Sequence, residues 1–278
     1  MTGPLRTRTE NGIATVTIDN PPVNVLDAAL MTQLRDALLH IRQDEAIRVV
    51  VFDSGNPDFF IAHVDMTLID DLHAFDEIAR EVPPGQNVFQ ALGELVRTMP
   101  QVTIAKLAGI ARGGGAEFIA ACDMAFGAAG CGALGQVEAL MGIVPSGGAM
   151  QYLSNKMSRN RVLEIILGAE LFGMEQAAAY GWINRCLPAN ELDEFVERLA
   201  QNIAGLPAGV IAAAKRVLPP ADFMAGFARE EEEWGNLFAG AHAERLIRGA
   251  LSSGAQTSMG ERQLEAILRG LTSSRPSG

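Results

Sequence analysis

The chain has 278 residues, long enough to bury roughly 75% of the surface its unfolded form exposes, so it needs neither a disulfide nor a metal to hold a core. Hydrophobic residues at 48% and charged residues at 20% exclude a disordered or fibrous chain. With 22 basic and 33 acidic side chains the formal charge is −11, which repels a phosphate backbone and argues against nucleic acid as a partner.

In chain order, Met1 to Gly12 carries Arg6 and Arg8 but no apolar h-region, and nowhere does the chain offer the ~20 apolar residues of a membrane span. A soluble, cytoplasmic protein is expected. Ile13-Ala-Thr-Val-Thr-Ile18 reads as a strand stopped at Asp19-Asn20-Pro21-Pro22. Asp27 is placed to cap a helix with Leu30, Leu34, Leu38 and Ile41 on one face. Arg48 to Phe52 suits a strand buried on both faces. Between Asp70 and Gln86 acidic residues crowd before Pro83-Pro84-Gly85, as either a lid or a solvated acidic helix and turn. A helix over Val88 to Met99 stops at Pro100, and Val102 to Leu107 returns to strand. This β-α-β-α-β order predicts parallel pairing with right-handed crossovers.

From Ser146 the pattern is nearly all helical. Ser158 is placed to cap a helix ending at Gly168, Asn190 to cap Glu191 to Ala204, and Pro207 to open a helix ending near Val217. Further helices are expected near Asp222 to Asn236, His242 to Leu251 and Met259 to Arg269, with a frayed tail from Ser273. Cys122, Cys131 and Cys186 have no CxxC spacing and form no zinc cluster with His40, His63, His73 or His242, so buried, unpaired thiols are expected.

Glycine is in excess, 29 of 278, or about 10% against the usual ~7%. It is densest at Gly109-Ile-Ala-Arg-Gly-Gly-Gly115-Ala-Glu117, between a strand and an apolar helical run. Neither phosphate-loop template fits. Glycine amides at a helix start hold an oxyanion well, and a tight turn for close strand-helix contact explains them equally. Glu138 is the only carboxylate between Met124 and Asn155, so it sits either at a solvated bend or in a pocket where burial raises its pKa. Two glutamates facing one apolar cleft suit proton transfer on both sides of a substrate.

These residues resemble the enoyl-CoA hydratase/isomerase (crotonase) family. The likeness runs from about Ile13 to Pro188 through Asn20 to Leu26, Phe59 to Asp65, Gly109 to Asp123, Gly135 to Gly148, Arg161 to Gly168 and Ala179 to Arg185, in order. It implies an α/β crotonase-like spiral of ββα units over residues 1–205 and a helical C-terminal region over 206–278 that builds trimers or hexamers. By the same likeness, the Gly114 and Val64 N–H groups hold a thioester oxygen, and Glu117 and Glu138 are the catalytic carboxylates of the hydratase branch. Val25, Leu26, Ala62, Val64, Asp65, Met66, Thr67 and Gly114 match the substrate and CoA site. The substrate is then an acyl-CoA, coenzyme A is part of that substrate, and no separate cofactor or metal is implied.

Three positions depart from the family pattern. His63 stands where the family usually has Gly, Arg112 where it usually has an apolar residue, and Val64 where it usually has Ala. His63 is either a core or solvent-facing histidine or a contact to substrate, and Arg112 either a structural ion pair or a contact to the acyl chain or CoA.

The implied activity is hydration of a trans-2-enoyl-CoA. Alternatives are a double-bond isomerase, which needs one carboxylate, a non-catalytic acyl-CoA-binding protein, and a serine hydrolase using Ser146 or Ser54 with His63, which lacks a Gly-x-Ser-x-Gly elbow. Leu237, Phe238, Leu246, Ile247 and Leu251 are apolar enough either to join subunits or to cover the chain's own core.

Overall fold

The structure is a computed structural model, and it describes residues 3–71 and 73–273. Two sheets organise it. The larger orders Leu5–Glu10, Ile13–Ile18, Val49–Ser54, Val102–Leu107, Met124–Ala128 and Arg185–Leu187 side by side. The smaller orders Phe59–Ile61, Ile110–Arg112, Ala133–Gly135 and Phe172–Gly173. Each central strand of the large sheet runs on into a short strand of the small one. Val102–Leu107 leads to Ile110–Arg112, then to the helix Gly114–Ala121, and Met124–Ala128 re-enters the large sheet. That repeated strand-strand-helix unit is the ββα spiral that the sequence likeness implies.

The parallel pairing expected for Ile13–Ile18, Val49–Ser54 and Val102–Leu107 is present. Val49 to Phe52 are buried on both faces. On one face Val49, Val51, Val102, Ile104 and Phe126 pack on Leu192, Val196 and Ala200 of the helix Leu192–Ala204. On the other, Val50 and Phe52 join Leu30, Leu34, Leu38 and Phe118 in the main core. Asp27 caps the helix Ala28–Gln43, its side chain accepting from Leu30 N–H. Gly109 turns between sheets where a Cβ would lie 2.7 Å from the Asp58 and Phe59 backbone.

Several expectations need correction. Leu5–Glu10 forms an antiparallel hairpin with Ile13–Ile18, and strands Phe172–Gly173 and Arg185–Leu187 interrupt the helical second half. Ser158 occupies its cap position without a side-chain bond, and the helix Arg159–Gly168 ends at Ala169, which takes the left-handed conformation. Asn190 does not cap; Glu191 precedes Leu192–Ala204. Pro207 lies before Gly209, the residue that leads into Val210–Val217. The helix expected over Met259 to Arg269 is two, Ser258–Glu261 and Leu264–Ser273. Ser273 is helical, and the rest of the tail lies outside the described residues. Only Cys122 of the three free cysteines is buried.

The acidic stretch after Asp70 resolves into one helical turn, Asp76–Ala79. Its acids face solvent, while Ile78 is buried and Phe75 and Val82 pack on the core. The C-terminal helices Ala241–Ser252 and Leu264–Ser273 pack on the 3-10 turns Met66–Asp70 and Glu138–Met141, joining Met66, Leu140 and Met141 to Ala243, Ile247, Leu264 and Leu268. They roof the space between those turns. No described helix is long and apolar enough to cross a membrane.

Candidate active site

Each glycine of the Gly113–Gly115 run makes room for something specific. A Cβ on Gly113, which has φ +48°, would lie 2.6 Å from Glu138 Oε1; on Gly114, 2.7 Å from Val64 Cγ2; on Gly115, 2.4 Å from Ile61 O. Gly115 therefore serves strand-helix contact, and Gly113 and Gly114 bring backbone against Glu138 and Val64. Gly114 opens the helix Gly114–Ala121, where first-turn N–H groups have no intrahelical acceptor. Val64 bridges Leu26 in parallel fashion. The bridge bonds run from Leu26 N to His63 O and from Asp65 N to Leu26 O, so the Val64 N–H points away from them.

Glu117, on the first turn of that helix, is buried, and its Oε1 accepts from the N–H groups of Gly147 at 2.8 Å and Ala149 at 3.1 Å. Burial pushes it up to about 7 against the pull of those two amides. Glu138 opens the 3-10 turn Glu138–Met141. Burial, and next the charge of Glu117, push it up to about 8. The Gln136 amide, with its nitrogen toward this carboxylate, donates to Oε2 at 3.0 Å and Oε1 at 3.2 Å.

Glu117, Glu138, Gly114, Val64, His63, Asp65 and Met66 all line one cavity of about 260 Å³. Leu26 lines a small pocket continuous with it through Gly114, Glu117 and Gly147. Val25 and Ala62 are instead buried with Val23 and Phe59 in a small apolar cluster. Thr67 is exposed, bonding to Asp65. Arg112 is fully buried and does not line the cavity; it pairs with Glu261 and Glu265. His63 is a buried histidine whose ring nitrogens meet Glu261 and the Val64 carbonyl. Neither nitrogen meets Ser146 or Ser54, and Ser54 Oγ is engaged with Phe59 O at 2.7 Å, so no serine-histidine pair forms among the described residues.

The family profile described as enoyl-CoA hydratase/isomerase matches residues 8–237. The chain belongs to the enoyl-CoA hydratase/isomerase family. It is 30% identical over 210 residues to a carnitinyl-CoA dehydratase of Salmonella heidelberg, covering 75% of this chain and 78% of that one. It is 29% identical over 191 residues to the mitochondrial methylglutaconyl-CoA hydratase of Mus musculus, covering 68% of this chain but only 59% of the mouse protein. A crystal structure from Streptomyces avermitilis, described as a candidate enoyl-CoA hydratase, superposes with a TM-score of 0.96 at 54% identity, covering 98% of this chain and 99% of that one.

Within this family member, residues lining the cavity and one beside it lay outside the sequence expectations. Trp234 and Phe238, stacked with ring centroids 4.5 Å apart, line the cavity with Phe75 and Phe89. Glu230 is a further buried carboxylate, on the helix that carries Trp234 but not among the described lining residues of the cavity. Its Oε1 accepts from Gln151 N and Nε2, each at 3.2 Å. Burial, followed by the charge of Glu117, pushes Glu230 up to about 8. The available signal was spacing: Phe227, Glu230, Trp234 and Phe238 recur on one helical stripe, so Glu230 belongs to the inward face rather than to the solvated run Glu231 to Glu233.

Proposed function

We propose that the chain is an enoyl-CoA hydratase, a hydro-lyase adding water across a trans-2-enoyl-CoA. The supporting observation is the pair of buried carboxylates, Glu117 and Glu138, on one cavity with the Val64 and Gly114 amides. In this reading the two N–H groups receive the thioester oxygen. As water attacks the β-carbon, the C=C electrons move toward that oxygen and the amides stabilise the enolate that forms. Glu117, ionised, takes the proton leaving the water. Glu138, protonated, gives its proton to the α-carbon, and the enolate collapses to a 3-hydroxyacyl-CoA.

The acyl group the cavity favours is apolar and uncharged. Met66, Ile69, Phe75, Trp234, Phe238 and Ile247 form its walls, and no Lys or Arg is among the described lining residues. An acyl carboxylate would be desolvated there without a counter-ion. Leu246 and Ile247 are buried within the chain itself, whereas Val217, the last residue of the helix Val210–Val217, and Leu218 after it are both 79% exposed, and that helix buries none of its residues. That exposed surface supports the self-assembly that the family likeness implies.

Turnover of crotonyl-CoA by the wild type, Glu117→Gln and Glu138→Gln tests the assignment. Hydration falling by at least ~10² in both variants is the expected result. Loss in Glu117→Gln alone, with turnover of a 3-enoyl-CoA, would assign an isomerase instead.

A further inference from the structure

Behind the two amide donors lies a group of side chains centred on Glu261, in which His63, Arg112 and Glu261 are buried and Glu265 is partly exposed. Glu261 Oε1 accepts from the Gln256 N–H at 2.7 Å and meets His63 Nε2 at 2.9 Å. Its Oε2 lies 3.4 Å from Arg112 Nη1, and its backbone carbonyl accepts from Arg112 Nη2 at 2.8 Å. Arg112 also reaches Glu265 with Nε at 2.6 Å and Nη2 at 3.1 Å. The remaining ring nitrogen, His63 Nδ1, lies 2.6 Å from the Val64 carbonyl. Both ring nitrogens of His63 thus face oxygen atoms, one on Glu261 and one on the Val64 backbone. Burial acts to raise Glu261, but the hydrogen bond from His63, its charge and that of Arg112 hold the carboxyl below its ordinary range.

The positions of these partners along the chain matter more than their number. The His63 carbonyl and the Val64 N–H belong to one peptide plane. Arg112 ends the strand Ile110–Arg112, from which Gly113 and Gly114 follow directly. One carboxylate on the short helix Ser258–Glu261 thus grips, from behind, both segments that present an amide to the cavity. A second tie runs alongside it, Gln256 Nε2 donating to Asp65 Oδ1 at 2.8 Å. Buried ion clusters are often matched or exceeded in stability by apolar residues of the same volume, so stability alone does not account for this one. A rigid, multiply bonded link does supply position, on which the value of an oxyanion donor depends.

Resting on the thioester reading above, we propose that Glu261 is a positioning residue: through His63 and Arg112 it sets the spacing and aim of the Val64 and Gly114 N–H donors. The C-terminal helices then complete the oxyanion site as well as covering it. His63 and Arg112, two of the three departures from the family pattern, are explained together as the core-side half of this link.

The test uses the full-length protein and two readouts, kcat and KM for crotonyl-CoA, and the red shift of a push-pull cinnamoyl-CoA thioester when its bound carbonyl is polarised. Glu261→Ala is expected to lower kcat by about tenfold or more with KM within about threefold, and to diminish the red shift. Glu261→Gln, which keeps an acceptor for His63 and Gln256, is expected to restore most of both. His63→Gln cuts the tie to Val64 but leaves Arg112 on Glu261 and Glu265, so it decides the matter if Glu261→Ala does not fold; the same signature is expected. Wild-type kcat and red shift in His63→Gln, or in folded Glu261→Ala, overturn the proposal even if thermal stability has dropped. Absence of any red shift in the wild type overturns the oxyanion reading itself, and this proposal with it.

Discussion

Gly147 relates to Glu117 in two ways at once: its N–H donates to Oε1 at 2.8 Å, and a Cβ on it would lie 2.3 Å from Oε2. The carboxylate is therefore held by backbone on one side and admitted by a missing side chain on the other. Gly147→Ala forces the carboxylate to move while adding only one methyl group. We expect kcat to fall by at least ~10² with binding of a saturated acyl-CoA within about threefold, because that substitution misplaces the base without touching the amide donors. Calorimetric binding and steady-state rates of the variant check this.

The pH profile follows from the two carboxylates. Glu117 must be ionised to take a proton, so activity is lost as pH falls through about 7. Glu138 must be protonated to give one, so activity is lost as pH rises through about 8. The expected kcat/KM profile is a narrow bell whose limbs belong to the interacting pair rather than to either residue alone. A profile flat from about pH 6 to about pH 9 would contradict these assignments.

How far the fold was legible depended on burial and length. Val102 to Leu107 was readable residue for residue because an apolar run lies between Pro100 and Gly109 and is almost wholly buried. Leu5–Glu10 was not, because its residues after Leu5 are exposed and an exposed edge strand has no apolar alternation to read. The strands of the small sheet span three residues or fewer, too short for a period to register. Glu117 and Glu138 were legible through their apolar surroundings and family pattern. Glu261, by contrast, stands 149 positions from Arg112 and 198 from His63. Sequence marked those two residues as unusual but held no local sign of their partner.

Trp234 sets one wall of the cavity proposed to take the acyl group, stacked on Phe238 with an interplanar angle of 15°. Trp234→Ala opens that wall and leaves both glutamates and both amides in place. Specificity should move toward longer or branched 2-enoyl-CoA substrates, with kcat/KM for crotonyl-CoA falling by about tenfold, mainly through KM, as uniform binding is lost. Competition between short and long substrates in one reaction measures the shift directly.

Glu230 yields a prediction about stability. Burial, then the charge of Glu117, pushes it up to about 8 from an ordinary value of 4.5, so the native state holds its proton more tightly than the unfolded chain does. The stability it contributes is fully present below about pH 4.5 and is lost as pH rises through about 8. Ionisation would place a second anion on the turn whose Gly147 and Ala149 amides serve Glu117, since Glu230 is bonded to Gln151 on the same turn. Glu94 and Arg97, on the neighbouring helix Val88–Arg97, pair with each other, with Tyr152 bonded to Glu94, so they offer Glu230 no counter-charge. Glu230→Gln keeps the shape and never ionises. Its Tm should exceed the wild-type value by at least about 4 °C near pH 9 and match or fall below it near pH 5. Parallel melting curves of the two proteins across that range would show the crossing, and a Tm difference independent of pH would mean that Glu230 does not titrate in the folded protein.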